Sequence, residues 1–260
     1  MPETIVFGLS GPSSSGKTTV ALNLIKLFPR TVVIHQDDFY KPDAHIPINP
    51  KTKDQDWDCP EAFDMDAMVS AIQSARRQLE GKGSIESRTS YASQWANPAA
   101  DVDRMLPTEA LNALRNMVLQ KLHISSAEEM PFSLVLVDGI LLFYDDFDES
   151  STPGAECDAG VFICAQYKTL KQRREARSGY VTKEGIWNDP PGYFDNVVWP
   201  NFVKYHCKLI AANPEAEGGK HASASLGHFG NVAICSSDAP FAHTLEACVE
   251  SIINQWNCRQ

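Results

Sequence analysis

No stretch of apolar residues in this chain approaches the roughly 18 that a membrane-spanning helix needs, and the first apolar run, Thr4 to Leu9, is cut off by Ser10-Gly11-Pro12. No basic segment followed by a long apolar core opens the sequence, so neither a secretory leader nor a membrane anchor is expected. Positive charge is scarce: 23 Lys and Arg stand against 33 Asp and Glu, a formal net charge of −10. Such a chain repels nucleic-acid phosphates unless it concentrates its cations, and the one conspicuous basic cluster is Lys168 to Arg177. The seven cysteines (59, 157, 164, 207, 235, 248 and 258) contain no C-x-x-C pair and no metal-ligand spacing, which points to reduced thiols. Internal repeats and long low-complexity tracts are missing as well. These absences predict a cytoplasmic protein, monomeric, with no nucleic-acid or membrane partner. With 260 residues, 43% of them hydrophobic, one α/β domain with insertions is the natural reading.

What is present begins at Gly11-Pro-Ser-Ser-Ser-Gly16-Lys17-Thr18, which fits the phosphate-loop pattern G-x-x-x-x-G-K-[ST]. Its context is right. Thr4 to Leu9 before it reads as a buried strand, and Val20, Leu22, Leu24, Ile25 and Leu27 after it recur at helical spacing. Such a loop turns consecutive backbone N–H groups toward one anion, while Lys17 adds charge and the Thr18 hydroxyl is a ligand for Mg²⁺. Gly11, Ser13, Ser14, Ser15, Gly16, Lys17, Thr18 and Thr19 are therefore the nucleotide-binding candidates, with ATP or GTP as the triphosphate.

Further strands are expected over Thr31–His35, Phe132–Val137, Ala159–Cys164 and Asn231–Cys235. Helices are expected over Asp64–Glu80, over Thr108–Leu122 with Thr108 as N-cap, and over Lys168–Arg177. Another is expected from about Asp195 to Ala212, broken or kinked at Pro200, and a last one over Ala239–Trp256. Residues 41–60, with Pro42, Pro47, Pro50 and Pro60, read as a long ordered loop of the kind that carries function. The stretches 81–107 and 213–230 read as insertions. Strands alternating with helices predict a parallel sheet covered on both faces.

Four groups bear on what happens to a bound phosphate. Asp37, at the carboxyl end of the second strand, stands where a carboxylate can accept a proton from an attacking hydroxyl, although paired aspartates there also cap turns. Asp138 ends an apolar strand, the place of an acid that holds Mg²⁺, and Asp-Gly is equally an ordinary turn dipeptide. Lys171, Arg173, Arg174 and Arg177 lie on one short helix that suits a lid balancing transition-state charge, or a solvated charged face. An exposed Trp57 beside Asp58 would stack on a flat ring and bond sugar hydroxyls, or Trp57 would merely pin its loop to the core.

Gln36-Asp37-Asp38-Phe39-Tyr40-Lys41-Pro42, Trp57-Asp58 with Glu61-Ala62, Val137-Asp138-Gly139, and Pro191-Gly192-Tyr193-Phe194-Asp195 with Val198-Trp199-Pro200 resemble the nicotinamide riboside kinases. The resemblance implies a P-loop nucleoside-kinase fold, with a five-stranded parallel sheet, the phosphate-loop strand near its centre, and a lid. It implies transfer of the γ-phosphoryl of a nucleoside triphosphate to the 5′-hydroxyl of nicotinamide riboside, and of nicotinic acid riboside, in NAD synthesis. On that likeness Lys17 and Thr18 grip phosphates and Mg²⁺, and Asp37 is the general base. Asp138 is the acid near Mg²⁺, Asp58 and Arg174 bind ribose, Trp57 meets the pyridine ring, and Arg177 is a lid arginine; Arg173, on the same helix, is a further candidate toward the nucleotide.

The chain departs from the family pattern in three places. Asp138 stands where Glu is frequent, Tyr180 aligns with a second aromatic clamp only across one inserted residue, and 81–107 and 213–230 have no counterpart in short members. A uridine or cytidine kinase shares the loop, the aspartate and the arginines. A nucleotide-binding sensor without turnover would be expected to lack the base or the metal acid, and both are present.

Overall fold

The computed structural model describes residues 3–81, 106–144, 152–177, 179–181, 186–211, 222–225 and 231–260. Most of the two expected insertions therefore lies outside the described residues. Strand β1 (Glu3–Ser10) runs between β3 (Phe132–Gly139) and β4 (Ala159–Cys164), with β2 (Thr31–His35) beyond β3 and β8 (Asn231–Ser236) beyond β4. These five strands are parallel, as expected, and β1 is central. The sheet has a sixth strand that the sequence reading did not contain. The segment β7 (Ala222–Ser225), inside the expected 213–230 insertion, pairs antiparallel with β8 at the edge. Its Ala-Ser-Ala-Ser run alternates only small residues and has no β-branched or aromatic side chain, so its composition gave little strand signal.

Alternation along β1 divides the core. Ile5, Phe7 and Leu9 pack with α1 (Lys17–Leu27), α3 (Thr108–Leu122) and α7 (Phe241–Asn257) on one face. Val6 packs on the other with α2 (Met65–Leu79) and with Phe143 and Phe202. Gly8 and Gly160 interrupt that second face side by side on β1 and β4. A Cβ at either position would lie 2.5 Å from Phe143 Cζ, so the pair leaves bare backbone on which the ring rests. Phe143 thereby holds the segment leaving β3 down on the sheet.

Helix boundaries follow local chemistry, with two corrections. Asp64 caps α2 by accepting from Ala67 N–H at 3.0 Å. Thr108 is not the N-cap of α3: Pro107 takes that position and Thr108 is the first helical residue. The expected helix through Pro200 is a turn of π-helix (Phe194–Val198), then α5 (Trp199–Tyr205), a break at His206, and α6 (Cys207–Ala211). Proline lacks an N–H and its ring crowds the preceding turn, so the wide turn ends and Pro200 lies in the first turn of α5, where the lost donor costs little. Helix α4 (Tyr167–Glu175) follows β4, and the hairpin β5 (Tyr180–Val181) with β6 (Ile186–Trp187) follows α4. Among the described residues no helix is long and apolar enough to cross a membrane.

Register sets the geometry of what comes next. Leu9 and His35 are both level with Asp138, and Ser10 is level with Gly139. The loops after β1, β2 and β3 thus leave the sheet together at its carboxyl edge, where open parallel sheets bind ligands.

Candidate active site

The loop after β1 is made by backbone conformation. Gly11 has φ of +146°, and a Cβ there would stand 2.1 Å from the Ile163 carbonyl oxygen, so only glycine passes. Gly16 has φ of +96° and precedes α1, whose first residue is Lys17. The Lys17 ammonium is buried and donates to the carbonyls of Gly11 and Pro12, both at 3.0 Å, which folds its stem back along the loop. Burial lowers its pKa, with Asp138 and Asp37 pulling the other way. The buried hydroxyls of Ser14 and Ser15 find no hydrogen-bond partner among the described residues. Unpaired donors beside a lysine at a helix N-terminus fit a phosphate group. Ser13 is half-buried, and Thr19 is buried with its carbonyl accepting from Asn23.

Opposite the loop, Thr18 Oγ1 donates to Asp138 Oδ2 at 3.0 Å, and His35 Nδ1 lies 3.2 Å from the same oxygen. Burial alone would raise the Asp138 carboxyl; the His35 hydrogen bond and the Lys17 charge outweigh it and hold the group below its ordinary value. His35 is raised despite its own burial, because Asp138 stabilises the imidazolium. An ionised carboxylate touching a threonine hydroxyl is an oxygen pair suited to Mg²⁺, which takes one or two protein oxygens and completes its shell with phosphate and water. Asp37 opens onto the cleft, and the surrounding walls and the Asp138 charge push its carboxyl above the usual value. A base whose pKa is shifted toward neutrality is better matched to taking a proton.

Gln36 sets the spacing of the two acids. Fully buried between Asp37 and the end of β2, it accepts from Leu141 N–H at 2.9 Å and donates to the Leu141 carbonyl at 3.1 Å. This closed pair ties the turn bearing Asp37 to the segment three residues past Asp138.

The other end of the cleft is a cluster of side chains from distant segments. Trp57 lies edge-on to Tyr40, with centroids 5.3 Å apart, and 5.6 Å from Trp187; Tyr40 stacks on Phe63 at 4.2 Å. The Tyr193 hydroxyl accepts from Trp57 N–H at 3.0 Å and donates to the Gln55 carbonyl at 2.9 Å, pinning the 41–60 loop. Asp56 orders the same loop from beneath, accepting from Asn49, Asn201 and Asp58 N–H. Arg174, 6% exposed, gives Asp189 two hydrogen bonds of 2.6 and 3.0 Å and lies 3.7 Å from Asp58. Burial raises the Asp58 carboxyl to about 6, with Arg174 opposing and Asp56 and Asp189 reinforcing.

The structure therefore gathers Gly11, Ser14, Ser15, Gly16, Lys17, Thr18, Asp37 and Asp138 at one end of the cleft, and Trp57, Asp58 and Arg174 at the other. Arg177 lies close enough to Lys17 and Asp37 to influence both. Arg173 is not brought to them: it donates to the hydroxyl and carbonyl of Ser237 at 2.9 and 3.0 Å, joining α4 to the end of β8. The expectation of an exposed Trp57 is corrected, since the residue is 6% exposed beneath Tyr40 and Trp187. Tyr180 lies in β5 opposite Trp187, and its side chain lies outside the described residues. The sequence reading missed His35, the closed pair made by Gln36, Trp187 and Asp189. Trp187-Asn188-Asp189 ahead of Pro190-Pro191 was the available signal for the last two, a second tryptophan two residues from an acid.

No family model matches the chain. It is similar to the nicotinamide riboside kinase of Schizosaccharomyces pombe, 33% identical over 210 residues that cover 80% of this chain and 81% of that protein. The nicotinamide riboside kinase of Saccharomyces cerevisiae is 31% identical over 218 residues, 83% of this chain and 82% of the yeast protein. Human nicotinamide riboside kinase 1 is 32% identical over 210 residues, 80% and 79% of the two chains.

Proposed function

The chain belongs to the nicotinamide riboside kinases, and from that premise we propose how its residues divide the phosphorylation of nicotinamide riboside. The reaction moves the γ-phosphoryl of ATP to the 5′-hydroxyl of the riboside, yielding nicotinamide mononucleotide for NAD synthesis. Nicotinic acid riboside is the second acceptor in this reading.

The loop from Gly11 to Thr19 wraps the phosphates with its N–H groups, and Lys17 exchanges its bonds to the Gly11 and Pro12 carbonyls for phosphate oxygens. Thr18 and Asp138 would hold Mg²⁺, which supplies charge neutralisation on the phosphate oxygens. At the far end, Asp58 and Arg174 bind ribose hydroxyls. The aromatic cluster around Trp57 lines the base, and cation–π attraction to the pyridinium contributes on the order of 0.5–2 kcal/mol there. Asp37 accepts the 5′-hydroxyl proton as the oxygen closes on phosphorus. Lys17 and Arg177 balance the charge of a loose transition state.

One observation carries the division of labour: Asp37 stands at the sheet edge beside Lys17 and Asp138, on the turn that the Gln36–Leu141 pair fixes. A coupled ADP-release assay with Mg²⁺ and ATP tests the reading, comparing nicotinamide riboside, nicotinic acid riboside, uridine and cytidine at equal concentration. Turnover on the pyridine ribosides alone is expected. Turnover on uridine or cytidine would keep the mechanism and overturn the substrate. ATP binding with no turnover on any of the four would make the protein a nucleotide sensor.

A further inference from the structure

Among the described residues, three hydrogen bonds end on the Asp189 carboxylate. Arg174 donates from Nε to Oδ2 at 2.6 Å and from Nη2 to Oδ1 at 3.0 Å, and the Trp187 indole donates from Nε1 to Oδ1 at 3.0 Å. The two bonds from Arg174 use the planar fork of the guanidinium, so they set its direction and its roll together. Its remaining nitrogen, Nη1, faces Asp58 at 3.7 Å, beyond a good hydrogen bond, and the guanidinium carbon stands 5.6 Å from the Tyr193 ring centre. The indole held by the same carboxylate stands 5.6 Å from Trp57 and 5.9 Å from Tyr193.

A buried guanidinium needs a carboxylate partner. Asp58 could have served, and its oxygens would then be consumed. Asp189 takes that task and leaves Asp58 3.7 Å from the guanidinium. It also grips the tryptophan that covers Trp57.

We propose that Asp189 is a positioning residue for the nucleoside: it locks Arg174 and Trp187 into one unit, which leaves the Asp58 carboxylate to the ribose hydroxyls and sets the aromatic wall over Trp57. This rests on the reading of this end of the cleft as the nucleoside pocket.

The test uses the full chain with Asp189→Ala, Asp189→Asn, Trp187→Phe, and Asp189→Ala with Trp187→Phe combined. KM for nicotinamide riboside and for ATP, kcat, Tm, and the calorimetric Kd of the nucleoside without ATP are measured for each. Loss of hydrogen bonds to a charged group predicts a roughly 10–100-fold rise in nucleoside KM and Kd for Asp189→Ala, with ATP KM and kcat changed much less. Asp189→Asn, which keeps one acceptor oxygen, recovers part of the loss. Trp187→Phe keeps a ring and loses the N–H, so it weakens the nucleoside several-fold alone and adds little to Asp189→Ala. Unchanged nucleoside Kd in Asp189→Ala overturns the proposal, as does a parallel rise of both KM values with a fallen Tm, the mark of a merely structural role. Should Asp189→Ala not fold, the same criteria apply to Asp189→Asn. A wild type that turns over uridine instead corrects the substrate reading alone, and the same ratios taken with uridine decide the role of Asp189. A wild type that neither binds nor turns over any nucleoside removes both readings.

Discussion

At the phosphate end of the cleft, Gly11 to Thr19 come from one unbroken stretch, and their shape is set by backbone torsions at Gly11 and Gly16. At the nucleoside end, Trp57, Asp58, Arg174, Trp187, Asp189 and Tyr193 come from segments far apart in the chain, joined by bonds such as Trp57 N–H to Tyr193 across 136 positions. On the reading proposed above, the first region holds phosphate through main-chain N–H groups together with Lys17 and the loop hydroxyls, a chemistry that is the same for any phosphate. On the same reading the second region binds with side chains, so each contact can be exchanged singly and selectivity for one nucleoside is adjusted there. The contrast extends to charge. Asp138 is held below its ordinary pKa by His35 and Lys17 in spite of burial, whereas Asp58, comparably buried and near Arg174, is raised to about 6. The difference lies in partners: Asp138 accepts from Thr18 and His35, whereas Arg174 gives its two close bonds to Asp189 and stands 3.7 Å from Asp58.

The largest test of the contrast falls at the junction of the two regions. Asp37→Ala is expected to lower kcat by roughly 10²–10⁴ with little change in ATP affinity, the scale of a general base. Single-turnover rates beside ATP binding measure this, and near-normal turnover would take the role from Asp37. Next, Asp138→Asn keeps the shape of the phosphate end and removes the charge beside Thr18. The Mg²⁺ concentration for half-maximal rate is expected to rise about 10–100-fold with nucleoside Kd unmoved. A matching loss of nucleoside affinity would mean that the two ends are not separable.

The third concerns protons at Asp58. With its carboxyl at about 6, nucleoside Kd should weaken about tenfold per pH unit below that value while ATP binding stays flatter. The same shift has a stability sign. A folded pKa above the unfolded value means that the native state holds the proton more tightly. This group therefore contributes most at low pH, and its contribution is lost as pH rises from about 4 to about 6. Asp58→Asn should flatten that limb and raise neutral-pH stability by on the order of 2–3 kcal/mol while weakening the nucleoside. Unfolding curves across pH for both proteins give the comparison; parallel curves would discard the shift. The smallest effect is expected at Trp57. Trp57→Leu should weaken nicotinamide riboside by roughly 3–30-fold and nicotinic acid riboside less, because the latter is zwitterionic and gains less from a cation–π face. Equal losses would show that packing with Tyr40 and Trp187, and not charge, is what Trp57 supplies.

Much of this molecule was legible in single stretches. Thr4–Leu9 and Phe132–Val137 are apolar runs that only a covered strand satisfies, and the spacing of Gly11, Gly16, Lys17 and Thr18 carries its own geometry. Asp37 and Asp138 were readable because each lies at the carboxyl end of a short apolar strand. Other features had no local signal. Gln36 looks like any polar residue after a strand, and its closed pair exists only because Leu141 arrives beside it. The Ala222–Ser225 strand is created by the edge of β8, with little signal in its own residues. Arg173 and Arg174 are adjacent and chemically alike, yet one reaches Ser237 and the other Asp189.

By itself, then, the amino-acid order determined what short-range physics can determine: the five parallel strands, the main helices between them, the phosphate loop, and the two carboxylates that strand ends present. Tertiary structure alone decided which arginine enters the pocket, that Trp57 lies under Trp187, and that Asp58 is raised while Asp138 is lowered. The reason is range. Backbone torsion and hydrophobic period act over a few residues, whereas a pKa, a guanidinium's direction and an aromatic wall depend on neighbours that only the packed chain supplies.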